Sequence, residues 1–264
     1  MTNTQRNDFE GKVALVVGAS RGIGAGVAEA FGAAGAAVAV AARDAEDLAA
    51  VAARIERAGG KALAVPTDVT DEDQVRALVE RTVAEFGRLD TAFNNANRSV
   101  MPAPLADLDT KDFDRAMATS VRGTFLGMRH QIPAILETAE GAGTIVNMAS
   151  LAGVQAVSGL APYVAGKAGI IALTQVAALD YGHLGLRVNV VAPGPIDTHA
   201  MERAGEEGRR QAAAAVSMQR VGTVAEVAET VLWLSSPASS YTSGAVIPID
   251  GGQGAGVLLR RRRG

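Results

Sequence analysis

The sequence contains no cysteine. That excludes disulfide bonds, thiolate catalysis and Cys-ligated metal. Histidine is almost as scarce. His130, His183 and His199 lie scattered, without metal-ligand spacing, so no metal site is expected. Aromatic residues make up only 4% of the chain. The core must therefore be built of Ala, Val, Leu and Ile, which suits helices packed closely on a parallel sheet. No apolar run reads as long enough to span a bilayer. Met1 to Phe9 is polar and carries no apolar signal region. The expectation is a cytoplasmic protein with no membrane partner.

What is present fits a globular chain of 264 residues, 48% hydrophobic and 20% charged. Net charge is −3, although Arg260–Arg263 supply four of the positive charges. An acidic body argues against nucleic acid, and the Arg run reads as a solvated tail.

The pattern along the chain is strand, turn, helix, repeated. Lys12 to Val17 is a β-branched run of strand length, followed by Gly18-Ala-Ser20-Arg21-Gly22-Ile23-Gly24 and a helical run to Ala34. That is the context of a phosphate-binding turn: glycines let the backbone approach a diphosphate, and the helix N-terminus presents N–H groups to it. The spacing is G-x-x-x-G-x-G, not the commoner G-x-G-x-x-G. Strand two, Ala36 to Ala42, ends without the acidic residue that usually meets a free ribose 2′-hydroxyl. Arg43 follows it, and Arg21 lies in the glycine turn. Two guanidiniums suit a 2′-phosphate, so NADP(H) is expected over NAD(H).

Helices over 45–58, 71–86 and 110–136 alternate with strands at 61–66, 89–93 and 143–148. The second of these helices has Thr70 or Asp71 as its cap. A further helix (161–182), strand six (186–192), an irregular helical lid (199–218), a Thr223-x-x-Glu226 capping box and strand seven (245–249) complete the chain. The fold class is α/β: a Rossmann-type, doubly wound, seven-stranded parallel sheet with helices on both faces, in one domain. Residues 1–10 read as an extension, 11–252 as the catalytic domain with a substrate loop near 195–218, and 253–264 as a tail.

Ligands bind at the carboxyl ends of strands in such sheets. Six features sit there or beside them: the glycine turn, Asp68-Val69, Asn94-Asn95-Ala96, Ser150, Pro193-Gly194-Pro195-Ile196, and Tyr163-x-x-x-Lys167 on the following helix. Residues four apart share a helix face. A phenol with a free pKa of about 10 becomes a better proton shuttle beside an ammonium. A lone Tyr-x-x-x-Lys also arises as a half-buried Tyr and a snorkelling Lys; its company at the strand ends favours a site.

Together these motifs resemble the short-chain dehydrogenase/reductase family, over about Gly11 to Gly252. The resemblance implies a ketone–secondary alcohol oxidoreductase with NAD(P) lying across the strand ends. Tyr163 would exchange the proton, Ser150 would hold the substrate oxygen, and Lys167 would bind the nicotinamide ribose and lower the Tyr163 pKa. Asp68 and Val69 would meet the adenine, Asn94 and Ala96 the inner ribose region, and Pro193, Gly194, Ile196 and Thr198 the nicotinamide end. Homotetramers, or homodimers, built on the helices around 110–135 and 161–182 are also implied.

Three positions depart from the family pattern. Val17 replaces a Thr that ties two loops together. Asn97 replaces a glycine. Ser120 stands where an Asn holds a water that relays protons to the lysine, so a reduced relay is expected. An alternative is a cofactor-binding sensor or scaffold without turnover; another is imine or enone reduction, epimerisation or dehydration on the same frame. Val100, Met101, Val154, Val157, Leu160 and Met201 suggest an apolar substrate pocket. Arg98 reads as a solvated loop residue or as a partner for an anionic substrate group.

Overall fold

Every residue of the first strand is buried, and alternate side chains enter opposite layers. The computed structural model describes residues 8–98, 101–141 and 143–256. Val100 and the Arg260–Arg263 run lie outside these. Seven strands form one parallel sheet in the order β3-β2-β1-β4-β5-β6-β7: β1 (Val13–Val17), β2 (Ala37–Ala42), β3 (Lys61–Pro66), β4 (Thr91–Asn94), β5 (Thr144–Met148), β6 (Arg187–Pro193) and β7 (Val246–Ile249). The strand order reverses between β1 and β4, and ligands bind at such a switch point.

Ala14 and Val16 of β1 enter one apolar layer, with α1 (Gly22–Ala33), α2 (Ala45–Arg57) and α8 (Val224–Ser235). Val13, Leu15 and Val17 enter the other, with α3 (Glu72–Phe86), α5 (Gly123–Thr138) and α6 (Ala161–Tyr181). The fold is Rossmann-like and a single domain, in agreement with the sequence reading. Asp71, not Thr70, caps α3, accepting from the N–H groups of Asp73 and Gln74. The Thr223–Glu226 capping box is present.

The long helix expected over 110–136 is built in three parts. α4 (Thr110–Met117) passes through a π-helical turn, Ala118–Arg122, into α5, with the backbone helical across both junctions. Residues 199–218 are more regular than expected. They hold α7 (His199–Ala214), which breaks at Gly205, where φ is 69°.

One expectation needs correcting. Ala161–Leu184 is, by length and composition, apolar enough to cross a membrane, with a mean hydropathy of 1.2 over its apolar window. Here the helix lies along the sheet, with Ile170, Thr174 and Ala177 buried. Its apolar character is that of a layer helix packed on β5 and β6.

Candidate active site

Tyr163 and Lys167 occupy the first turns of α6, and Pro162 is compatible with its start. Lys167 is 2% exposed. Its ammonium donates to the Met148 carbonyl at 2.9 Å, and Nζ lies 5.6 Å from the Tyr163 ring centre. Ser150 leaves β5 in extended geometry, its hydroxyl accepting from Ala152 N–H at 3.2 Å. Ser150, Tyr163 and Lys167 line a cavity of about 400 Å³, walled also by Leu160, Pro193, Gly194, Ile196 and Thr198.

Burial dominates the electrostatics here. It pushes the Lys167 ammonium down to about 7, because taking the charge out of water favours the neutral amine. Burial raises the Tyr163 phenol above its ordinary value, and a hydrogen bond with Ser150 opposes that rise in part. The lowering of the phenol by Lys167 that the sequence suggested is not found: burial raises the phenol, and the Ser150 hydrogen bond is what opposes it.

A second cleft of about 570 Å³ adjoins the first, and Ile23, Asn95, Asn97 and Thr198 line both. Gly18, Ser20, Arg21 and Gly22 form its floor; Ala42 and Arg43, Asp68 and Val69, and Ala96 form its sides. Gly18 has φ +79°, and an added Cβ would stand 2.7 Å from the Ala96 nitrogen, so this turn admits only glycine. Gly24 lies beneath the turn against the Gly18 carbonyl and does not line the cleft. Asp68 accepts from both the N–H and the hydroxyl of Thr70, which fixes its carboxylate at the cleft edge.

Two expected side chains are not at the site. Asn94 is buried: its amide donates to Gln131 and Asn147, and its oxygen accepts from Gln131. The side chain is spent in the interior, leaving only the Asn94 backbone for a ligand. Ser120 is also buried, and it donates to the Ala116 carbonyl at 2.6 Å. It packs on Gly166, where an added Cβ would lie 2.5 Å from its oxygen. Its hydroxyl does not line the cavity, so the proton-relay role among the catalytic residues expected for Ser120 gives way to packing.

The sequence reading placed Asn95 in its motif without giving it a role. Its side-chain amide donates to the Gly18 carbonyl at 2.9 Å, tying the β4 loop to the glycine turn. The two loops are thus joined by this amide, beside Val17, which has no hydroxyl to give. Arg115 and Arg203 were passed over, and both line the cleft. The i,i+4 spacing of His199 and Arg203, both at the cleft, was the available signal.

The geometry fits a dinucleotide. The first-turn N–H groups of α1 receive no side-chain cap, and they face an arginine-lined cleft. Lys167 has one hydrogen bond and further N–H groups to give.

A family model described as enoyl-(acyl carrier protein) reductase matches residues 18–253. The 2,5-dichloro-2,5-cyclohexadiene-1,4-diol dehydrogenase of Sphingobium indicum is 40% identical over 249 residues, 93% of this chain and 98% of that protein. The chain belongs to the short-chain dehydrogenase/reductase family. Another member, cis-4-hydroxycyclohexanecarboxylate dehydrogenase of Sinomonas cyclohexanicum, is 40% identical, covering 92% of this chain and 97% of its own. The solved levodione reductase superposes with a TM-score of 0.88 at 33% identity, over 94% of this chain and all of its own. A short-chain dehydrogenase/reductase is an oxidoreductase that uses a nicotinamide cofactor; the solved xylitol dehydrogenase, 33% identical with a TM-score of 0.87, is bound to NAD⁺.

Proposed function

We propose that the chain is an NADP(H)-dependent oxidoreductase interconverting a ketone and a secondary alcohol, with Tyr163 as acid and base. One observation carries this reading: Ser150, Tyr163 and Lys167 line a cavity contiguous with the arginine-lined cleft over the glycine turn. When bound, the nicotinamide supplies or accepts the hydride, which no side chain here can do. Gly18, Ser20, Gly22 and Ile23 hold the diphosphate, and Arg21 and Arg43 the 2′-phosphate. Asp68 and Val69 border the adenine, while Pro193, Gly194, Ile196 and Thr198 border the nicotinamide.

In reduction the Ser150 hydroxyl holds the substrate oxygen, and the Tyr163 phenol gives that oxygen its proton. The raised Tyr163 pKa keeps the phenol protonated at neutral pH. Lys167 offers its remaining N–H groups to the nicotinamide ribose. We expect Tyr163→Phe to lower turnover at least about a hundredfold while NADPH binding persists. Full turnover in that variant would remove Tyr163 from the chemistry. Tight NADPH binding by the unaltered chain, with no turnover across ketone, imine and enone panels, would favour a sensor instead.

The substrate is a ring-bearing, apolar ketone or alcohol. Leu160 lines the cavity, and Met101, Val154 and Val157 are exposed apolar side chains on the neighbouring segments. The Ala103 N–H donates to the Gly159 carbonyl, joining two of those segments. The names of the two relatives from Sphingobium and Sinomonas, both of which name six-membered rings, support the ring of this class. Arg98 lines the cofactor cleft and not the catalytic cavity, so an anionic substrate group is not part of the reading.

The cofactor preference is tested by thermal shift. NADPH is expected to raise the melting temperature well above the effect of equal NADH, and Arg43→Ala to remove that difference. Equal stabilisation of the unaltered chain by the two would overturn the preference.

A further inference from the structure

α7 carries three arginines in the described residues, and two of them are occupied. Arg209 is paired with Asp197, and Arg210 with Glu207. Arg203 has no hydrogen bond or ion pair among the described residues, and it lines the cofactor cleft. Glu202, the acidic neighbour, is taken by His199 at 2.9 Å.

The position of Arg203 in the fold says which part of a ligand it can reach. Thr198, at the head of α7, stands over the glycine turn: a Cβ built on Gly22 would lie 3.6 Å from its methyl group. Gly205 breaks α7 two residues after Arg203, so the turn bearing Arg203 is a short unit fixed at its Thr198 end. α7 follows β6, whereas Arg43 follows β2, and the glycine turn after β1 lies between them in the sheet. A guanidinium arriving from the β6 side meets the turn before it meets the β2 end.

We propose that Arg203 is a cofactor-binding residue that contacts the diphosphate of a nicotinamide dinucleotide, closing the cleft from the α7 side. This rests on the dinucleotide reading above. It differs from the roles of Arg21 and Arg43 because the diphosphate is common to NAD(H) and NADP(H). Arg203 therefore contributes affinity without discrimination, while Arg43 discriminates.

The test is calorimetric titration of the full chain, unaltered and as Arg203→Ala and Arg43→Ala, with NADPH, NADH and adenosine 2′-monophosphate, which lacks a diphosphate. Arg203→Ala should weaken NADPH and NADH by the same factor, about tenfold for a lost charge-assisted hydrogen bond, and leave adenosine 2′-monophosphate unchanged. In turnover it should raise KM for either cofactor while kcat at saturation is kept. Arg43→Ala should weaken NADPH and adenosine 2′-monophosphate and spare NADH. Unchanged binding of both dinucleotides to Arg203→Ala overturns the proposal, and so does a loss confined to NADPH. An Arg43→Ala variant that keeps its NADPH affinity refutes the role of Arg43 at the 2′-phosphate and leaves Arg203 standing. Failure of the unaltered chain to bind either dinucleotide refutes both.

Discussion

Lys167 is held at a cost. Its ammonium is buried with one carbonyl partner, and its pKa falls from 10.5 to about 7. The unfolded chain then binds more protons than the folded one between about pH 7 and 10.5, so stability from this group rises with pH across that window. Lys167→Met removes the penalty, on the order of a few kcal/mol, and loses one hydrogen bond worth about 1 kcal/mol. We expect this variant to melt several degrees higher than the unaltered chain at pH 7, to lose turnover, and to have its advantage shrink as pH is raised toward 10. Thermal melts at a series of pH values check this. A variant that melts lower at every pH would mean that the lysine stabilises the fold. The Tyr163–Lys167 pair was legible in the sequence because i,i+4 spacing fixes a shared face. Its protonation was not, because burial sets it. Asn94 and Asn95 make the same point. Neighbouring strand residues point to opposite faces, and the sequence alone did not say which asparagine would meet the glycine turn.

The helices hold the site by close approach. Gly166 lies between Tyr163 and Lys167 on α6, and the Ser120 oxygen occupies the place of its absent side chain. Ser120 sits in the π-helical turn between α4 and α5. A methyl group at position 166 must displace that hydroxyl from its bond to Ala116. Gly166→Ala is expected to cost about 1–2 kcal/mol, an ordinary overpacking penalty, and to reduce turnover by shifting α6 relative to β5. Adding Ser120→Ala removes the obstructing oxygen and should recover much of the stability; denaturant melts of the single and double variants measure the coupling. The sequence read 110–136 as one helix, where the helical backbone runs from Thr110 to Thr138 in three parts. The π turn escaped it, since a single extra residue in a turn leaves the apolar period almost unchanged. The break in α7 at Gly205 was legible only as irregularity, because a glycine in a polar helix marks a weak point without fixing a kink.

Across the whole molecule, the parallel sheet is what makes scattered residues into one site. Every strand of the sheet runs the same way, so the turns after β1 to β6 all open on one edge. The outer faces of α5 and α6 lie on a different surface and expose Phe125, Val176 and Leu179. Exposed apolar groups of this kind on facing helices suit association. We expect light scattering to give the mass of a homotetramer, or a homodimer, and Leu179→Glu with Val176→Glu to shift it toward the monomer. A monomeric unaltered chain at micromolar concentration would refute the association.

The sequence by itself determined the alternation of strand and helix, the glycine turn and the spacing of Ser150, Tyr163 and Lys167. Local periodicity, turn chemistry and helix spacing are written residue by residue. Only the tertiary structure decided which polar side chains face the cleft and which are consumed inside. It withdrew Asn94 and Ser120 into packing and brought Asn95 and Arg203 to the cleft. It also set the charge of Lys167. Those outcomes depend on burial and on partners distant in the chain, which no local pattern encodes.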